Sequence, residues 1–153
     1  MGGKTQSSQK SDQQVTAVFR FWVELDGVLV GGFSEVTGLE SRLETEEYRE
    51  GGLNDYVHVL PKGKRNTPLV FKRGITKSSA LWDWYMCEQK DPKKRKNGSV
   101  ILLSYAGEEV CRWNFFDSYP VRWSGPDLKS DGNAVAVEAI EIVHKGLKVT
   151  FTQ

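Results

Sequence analysis

Residues 111–124, CRWNFFDSYPVRWS, constrain the fold more than any other stretch of the chain. Alternate positions put Cys111, Trp113, Phe115, Asp117, Tyr119, Val121 and Trp123 on one face. Arg112, Asn114, Phe116, Ser118, Pro120, Arg122 and Ser124 fall on the other. This period-two alternation predicts a strand with one buried face, broken once on its apolar side by Asp117. It runs for about thirteen residues, where an ordinary strand has roughly five or six. A strand of that length makes a tall wall, and its apolar side must be covered.

The chain around it is also rich in strands. Residues 17–25 place Ala17, Phe19, Phe21, Val23 and Leu25 on one face, and Asp26-Gly27 then signals a tight hairpin. The return strand spans roughly 28–37, with Gly31-Gly32 marking a bulge or a close backbone contact. Residues 40–50, ESRLETEEYRE, carry five glutamates and no apolar parity. Glu and Arg form helices well, but continuity with the hairpin favours an extended, solvated strand. Residues 51–68 are rich in Gly, Asn, Asp, Lys and Pro and predict a loop too long for a mere connector.

Pro68 opens a strand over 69–75, where its missing N–H does least harm. Ser78 or Ser79 caps one helix, about 79–90, with Leu81, Trp82, Tyr85 and Met86 as its core stripe. Residues 99–105, SVILLSY, are apolar on both parities and predict a strand covered on both faces. Ala106-Gly107 turns into the long strand, 125–133 is a loop, and 134–146 is a strand with a bulge between Glu138 and Glu141. The first 16 residues are polar and predict a disordered arm, leaving 17–153 as a single domain.

The expected fold class is mainly β. Two antiparallel sheets pack into a β-sandwich able to form a tube-like barrel, with one flanking α-helix.

Chemistry is sparse. Cys87 and Cys111 lack metal-ligand spacing and read as reduced core or near-core thiols. His58 and His144 have no third ligand at metal spacing. Glu44, Glu46, Glu47 and Glu50 lack the Asp/Asn/Gly order of a calcium loop and read as a solvated face. The KKRK run at 93–96 has no stacking aromatics beside it, so nucleic acid is not expected as a partner. No nucleophile–base pair, phosphate loop or zinc motif appears; neither an enzyme nor a cofactor is expected. The 21 basic and 20 acidic residues give a net charge of +1, no global field for nucleic acid or membrane. No apolar run approaches the ~20 residues of a membrane helix, and no apolar leader opens the chain. The expectation is assembly in the cytoplasm without a signal peptide and no membrane insertion by the monomer.

Sandwiches of long strands expose edges, and copies closed into a ring remove them. A wide barrel also needs walls wet on one face and greasy on the other, as 111–124 are. At this point a resemblance becomes specific. The segments 21–40, 47–76, 81–85 and 112–147 together resemble the phage-tail tube protein family. The likeness is greatest to inner-tube subunits of extracellular contractile injection systems, which are phage-tail-like particles.

The resemblance implies a structural subunit that forms hexameric rings, stacked into a hollow tube within a contractile sheath. About four strands per subunit then build a barrel of roughly 24 strands, with a backbone diameter of at least ~37 Å. Sheath contraction drives the tube through a target envelope, and cargo leaves through the lumen. The implied partners are further copies of the chain, sheath subunits, baseplate and tube initiator or terminator proteins, and protein cargo. On this reading the particle is released extracellularly. Glu47, Arg49, Glu50, Asn54, Asp55, Tyr56, Lys62, Lys64 and Arg65 are the expected ring and stacking contacts. Glu44, Glu46, Arg112 and Asn114 are the expected lumen-facing groups. The alternatives are the related tube of type VI secretion and a monomeric β-sandwich binding module.

Overall fold

The computed structural model describes residues 20–30, 32–48, 51, 57–91 and 94–153. The expected arm at 1–16 lies outside them. Ten strands and one helix follow in the order β1 (Arg20–Leu25), β2 (Val28–Val30), β3 (Phe33–Thr37), β4 (Ser41–Tyr48), β5 (His58–Asn66), β6 (Leu69–Gly74), α1 (Ala80–Lys90), β7 (Lys96–Leu103), β8 (Glu109–Ser124), β9 (Val137–Val143) and β10 (Gly146–Phe151).

All pairings are antiparallel. One sheet runs β2-β1-β7-β8-β10. The second runs β8-β9-β6-β3. No barrel closes within the monomer.

The long strand serves both sheets. Cys111–Phe116 lie between β7 and β10, whereas Tyr119–Ser124 pair with β9. Between the halves, Asp117 takes a left-handed backbone conformation with φ 49°, which Asp tolerates better than most residues. The bend is fixed on several sides. Asp117 N–H donates to Asn97 Oδ1 at 3.0 Å, Ser118 Oγ donates to Lys96 O at 2.6 Å, and Lys145 N–H donates to Phe116 O at 2.9 Å.

The single apolar face expected along 111–123 is therefore not continuous. Cys111 and Phe115 point into the core, then Ser118 and Pro120 do so after the bend. A register shift between Pro120 and Arg122 accommodates the proline next to the ladder. The lapse at Asp117 is the corner of the sandwich.

The core joins both sheets and the helix: Val23, Leu25, Leu69, Phe71, Leu81, Trp84, Val100, Phe115, Ile140 and Ile142. Phe71 and Phe115 meet across the sheets with ring centroids 6.1 Å apart. Ser99, Val100 and Ile101 are buried in succession, as the apolar run of β7 predicts, with Val100 against the core and Ser99 and Ile101 low in the outward face.

Several expectations are corrected. The return strand 28–37 is two strands, with β2 in the first sheet and β3 in the second. Residues 58–66 of the anticipated loop form β5, which pairs along the whole of β4. Lys62 is the extra residue of a bulge between the Glu44–Gly63 and Thr45–Pro61 pairs. No bulge interrupts β9, because Glu138 faces the core with Ile140 and Ile142 and meets Arg73 there. The helical stripe is also rotated. Leu81 and Trp84 are buried and Tyr85 and Met86 half-buried, while Trp82 is 42% exposed. At 100° per residue, positions 84 and 85 lie beside 81 and position 82 turns away. Trp82 instead packs edge-on against Trp123 at 5.0 Å. Cys87, expected in or near the core, is exposed, and Cys111 is buried.

Candidate assembly surface

Three features of the surface ask for a partner. The first is the β4–β5 hairpin, an arm whose residues are nearly all exposed. Its strands pair with each other and with no other strand among the described residues. Register puts Leu43, Glu47, Val59 and Lys64 on one face, and Arg42, Glu44, Glu46, Tyr48, Leu60 and Arg65 on the other. Leu43, Tyr48, Val59 and Leu60 are each more than half exposed, which no isolated hairpin gains from in water. Among the arm's described residues a cross-strand ion pair, Arg65 Nη1 to Glu44 Oε1 at 3.4 Å, is exposed and contributes little.

The second is the pair of open ends of the first sheet. β10 pairs only with β8 among the described residues, leaving its far edge free. Leu147, Val149 and Phe151 stand opposite Phe115, Trp113 and Cys111 on the inward face of that sheet. Yet Val149 is 41% and Phe151 72% exposed, because the second sheet does not extend over them. At the other end Val28, paired with Leu25 on the same face, is 65% exposed. The sandwich is greasy where its own chain stops covering it.

The third is the outward face of the first sheet, where polar side chains surround Trp22 and Ile101. Arg112 and Asn114 lie here as expected from their parity, in register with Trp22, Ile101 and Thr150 and with Glu24, Ser99 and Lys148 respectively. Arg112 binds Glu109 in a fork, Nε to Oε1 at 2.9 Å and Nη2 to Oε2 at 3.0 Å, and reaches Glu24 Oε2 with Nη1 at 3.2 Å. Those bonds from Arg112 hold the Glu109 carboxyl below its usual range and raise the guanidinium's own pKa. Ser99 Oγ donates to Asn114 Oδ1 at 2.6 Å.

Glu24, Ser99 and Glu109 were missed in the sequence reading. The alternation of RFWVEL, which sets Glu24 apart from Val23 and Leu25, carries the signal for the first of them. Glu44 and Glu46, expected like Arg112 and Asn114 to face the lumen, are on the arm. Of the expected stacking contacts, Glu47, Lys62, Lys64 and Arg65 are all on the arm, and Arg49, Glu50, Asn54, Asp55 and Tyr56 lie outside the described residues.

The remaining chemical candidates are dispersed among the described residues. His58 is an exposed arm residue, and His144 Nε2–H donates to Thr67 O at 3.0 Å. Among the described residues no three His, Cys, Asp or Glu side chains are grouped to hold a metal ion. No described helix is long and apolar enough to cross a membrane. Arg95 stacks over the Tyr119 ring at 4.3 Å. Burial raises the Cys111 thiol pKa. In the folded protein at pH 8, iodoacetamide therefore labels Cys87 and spares Cys111 until denaturant is added, as peptide mass spectrometry reads out.

Comparison with known proteins points the same way. The profile of a family described as T4-like virus tail tube protein gp19 matches residues 17–148. A chain of the PVC sheath–tube complex, an extracellular contractile injection system in its extended state, superposes with a TM-score of 0.82 at 24% identity, covering 97% of this chain and all of that one. A chain of the tube-terminating cap of the anti-feeding prophage gives 0.83 at 22% identity, with 96% and 100% coverage. Hcp1 from Flavobacterium johnsoniae gives 0.59 at 16% identity, covering 88% of this chain and 97% of that one. No curated protein matches the sequence.

Proposed function

Because the chain belongs to the tail tube protein family of T4-like viruses, we propose that it is the inner-tube subunit of a contractile, phage-tail-like injection system. Six copies close into a ring, rings stack into a conduit, and a sheath, baseplate and terminator complete the particle. The role is mechanical: the tube is pushed through an envelope and passes cargo along its bore.

One observation carries this reading. The first sheet is polar over much of its outward face, greasy on its inward face, and uncovered at both ends. β1, β7, β8 and β10 are its long strands. Four such strands from each of six copies make the roughly 24-stranded wall that a water-filled bore requires. A neighbouring copy would bury Val149 and Phe151 at one end and Val28 at the other. The outward face, with Arg112, Asn114 and Glu24, then meets the water of the lumen. The arm is left to reach an adjacent ring, where Leu43 and Val59 supply apolar contact and Glu47 and Lys64 fix the register.

Negative-stain microscopy of the concentrated protein tests this: rings and short tubes are expected, and a lone globule at every concentration would refute the reading. Two variants separate the contacts. Val149→Asp with Phe151→Asp is expected to abolish rings without lowering the monomer's melting temperature. Leu43→Glu with Val59→Glu is expected to leave rings intact and abolish their stacking.

A further inference from the structure

A cleft of about 320 Å3 opens beside α1, lined by Ala80, Asp83, Trp84, Cys87, Lys94 and Lys96. The first four recur at three- and four-residue steps along one helix face, and the two lysines come from the segment leading into β7. Its composition is asymmetric. An apolar floor of Ala80, Trp84 and Cys87 faces two ammonium groups, with Lys96 Nζ 5.6 Å from the Trp84 ring centroid. The single described carboxylate of the lining, Asp83, accepts a hydrogen bond from Ser79 Oγ at 2.7 Å at the start of the helix.

An independent observation marks the same place. Trp84 is 8% exposed, and its indole N–H is enclosed with no hydrogen-bond partner among the described residues. Buried polar groups are nearly always satisfied, so an orphan donor on a residue of the cleft lining is unusual.

We propose that this cleft docks an acidic segment of a partner protein. Glutamate side chains suit it: their methylene stems lie on the apolar floor and their carboxylates meet Lys94 and Lys96. A nucleic acid fits less well, since Trp84 offers no exposed ring for stacking. Phosphate fits less well too, for the lining contains no guanidinium fork. The proposal stands on this cleft alone and is independent of ring formation.

Cys87 supplies the readout, being exposed in the cleft while Cys111 is buried. The alkylation rate of Cys87 in the full chain is followed by mass spectrometry with hexaglutamate, hexaglutamine, glutarate or inorganic phosphate present. A ligand that covers the thiol at ten times its dissociation constant slows alkylation about elevenfold. That slowing is expected with hexaglutamate, not with hexaglutamine, and is expected to vanish in high salt. In Lys94→Gln/Lys96→Gln, whose fold is checked by its melting curve, the ratio of rates with and without hexaglutamate is expected to return to one. No slowing by hexaglutamate, slowing that persists in that variant, or equal slowing by phosphate or glutarate would each overturn the assignment.

Discussion

Glu138→Leu destabilises the fold by about 3–5 kcal/mol, because it strands a buried arginine without its counter-charge. Arg73 and Glu138 are 5% and 6% exposed, and Arg73 Nε donates to Glu138 Oε1 at 2.6 Å. The second oxygen, Oε2, accepts from Trp123 Nε1 at 3.2 Å, and Arg73 Nη2 reaches Ser78 O at 3.4 Å just before the helix. The guanidinium also lies 5.9 Å from the Phe33 ring centroid. One ion pair thus ties β6, β9, β8 and the root of α1 together. Removing both charges should cost much less than removing one. Arg73→Met/Glu138→Leu is expected to recover most of the loss, short by the roughly 1–3 kcal/mol of leaving the Trp123 N–H unsatisfied. Urea melts of the dilute monomer, followed by circular dichroism, measure all three proteins. A double variant no more stable than Glu138→Leu would show that packing, and not the unpaired charge, sets the cost.

That pair also marks where sequence reading stops. Arg73 and Glu138 each sit on the inward parity of their strands and lie 65 residues apart. Nothing local says that they meet, so Glu138 reads as a slip in parity and a bulge. Alternation did locate the half-buried strands, and it assigned Arg112 and Asn114 to a polar face, because a covered sheet leaves a period-two imprint. It failed where no face is covered. β5 has no core side, so HVLPKGKRN shows only its turn-forming residues and looks like a loop. The bend at Asp117 is equally illegible, since one polar residue on an apolar parity looks the same whether the strand continues or changes sheet. β10 leaves a weak imprint because GLKVTF is short and, beyond Leu147, its apolar side of Val149 and Phe151 is poorly covered by its own chain.

Gly38→Ala is expected to cost on the order of 3 kcal/mol and to disable the arm without dismantling the core. Gly38 has φ +91°, and a Cβ there would lie 2.1 Å from Pro68 O and 3.3 Å from Leu69 Cα. Both neighbours are backbone, so no side chain can swing aside. The contact forms the root of the arm, where the chain leaves β3 for β4 and returns from β5 into β6. Glu40 N–H donates to Gly38 O at 2.7 Å, and Thr67 Oγ1 to Glu40 Oε1 at 2.8 Å. His144 holds Thr67 O from the β9–β10 junction. Parting these two segments redirects a hairpin that pairs with no other described strand, and the stacking proposed for it depends on that direction. Gly107→Ala is the control, having φ +86° but open space around its Cβ, so it carries the backbone strain without the collision. The difference between the two variants in denaturant melts isolates the clash, and microscopy reads its consequence: rings in both, stacked tubes only in the control. If Gly38→Ala melts with Gly107→Ala and stacks as well, the arm's root tolerates rotation and its rigidity is not what aligns the rings.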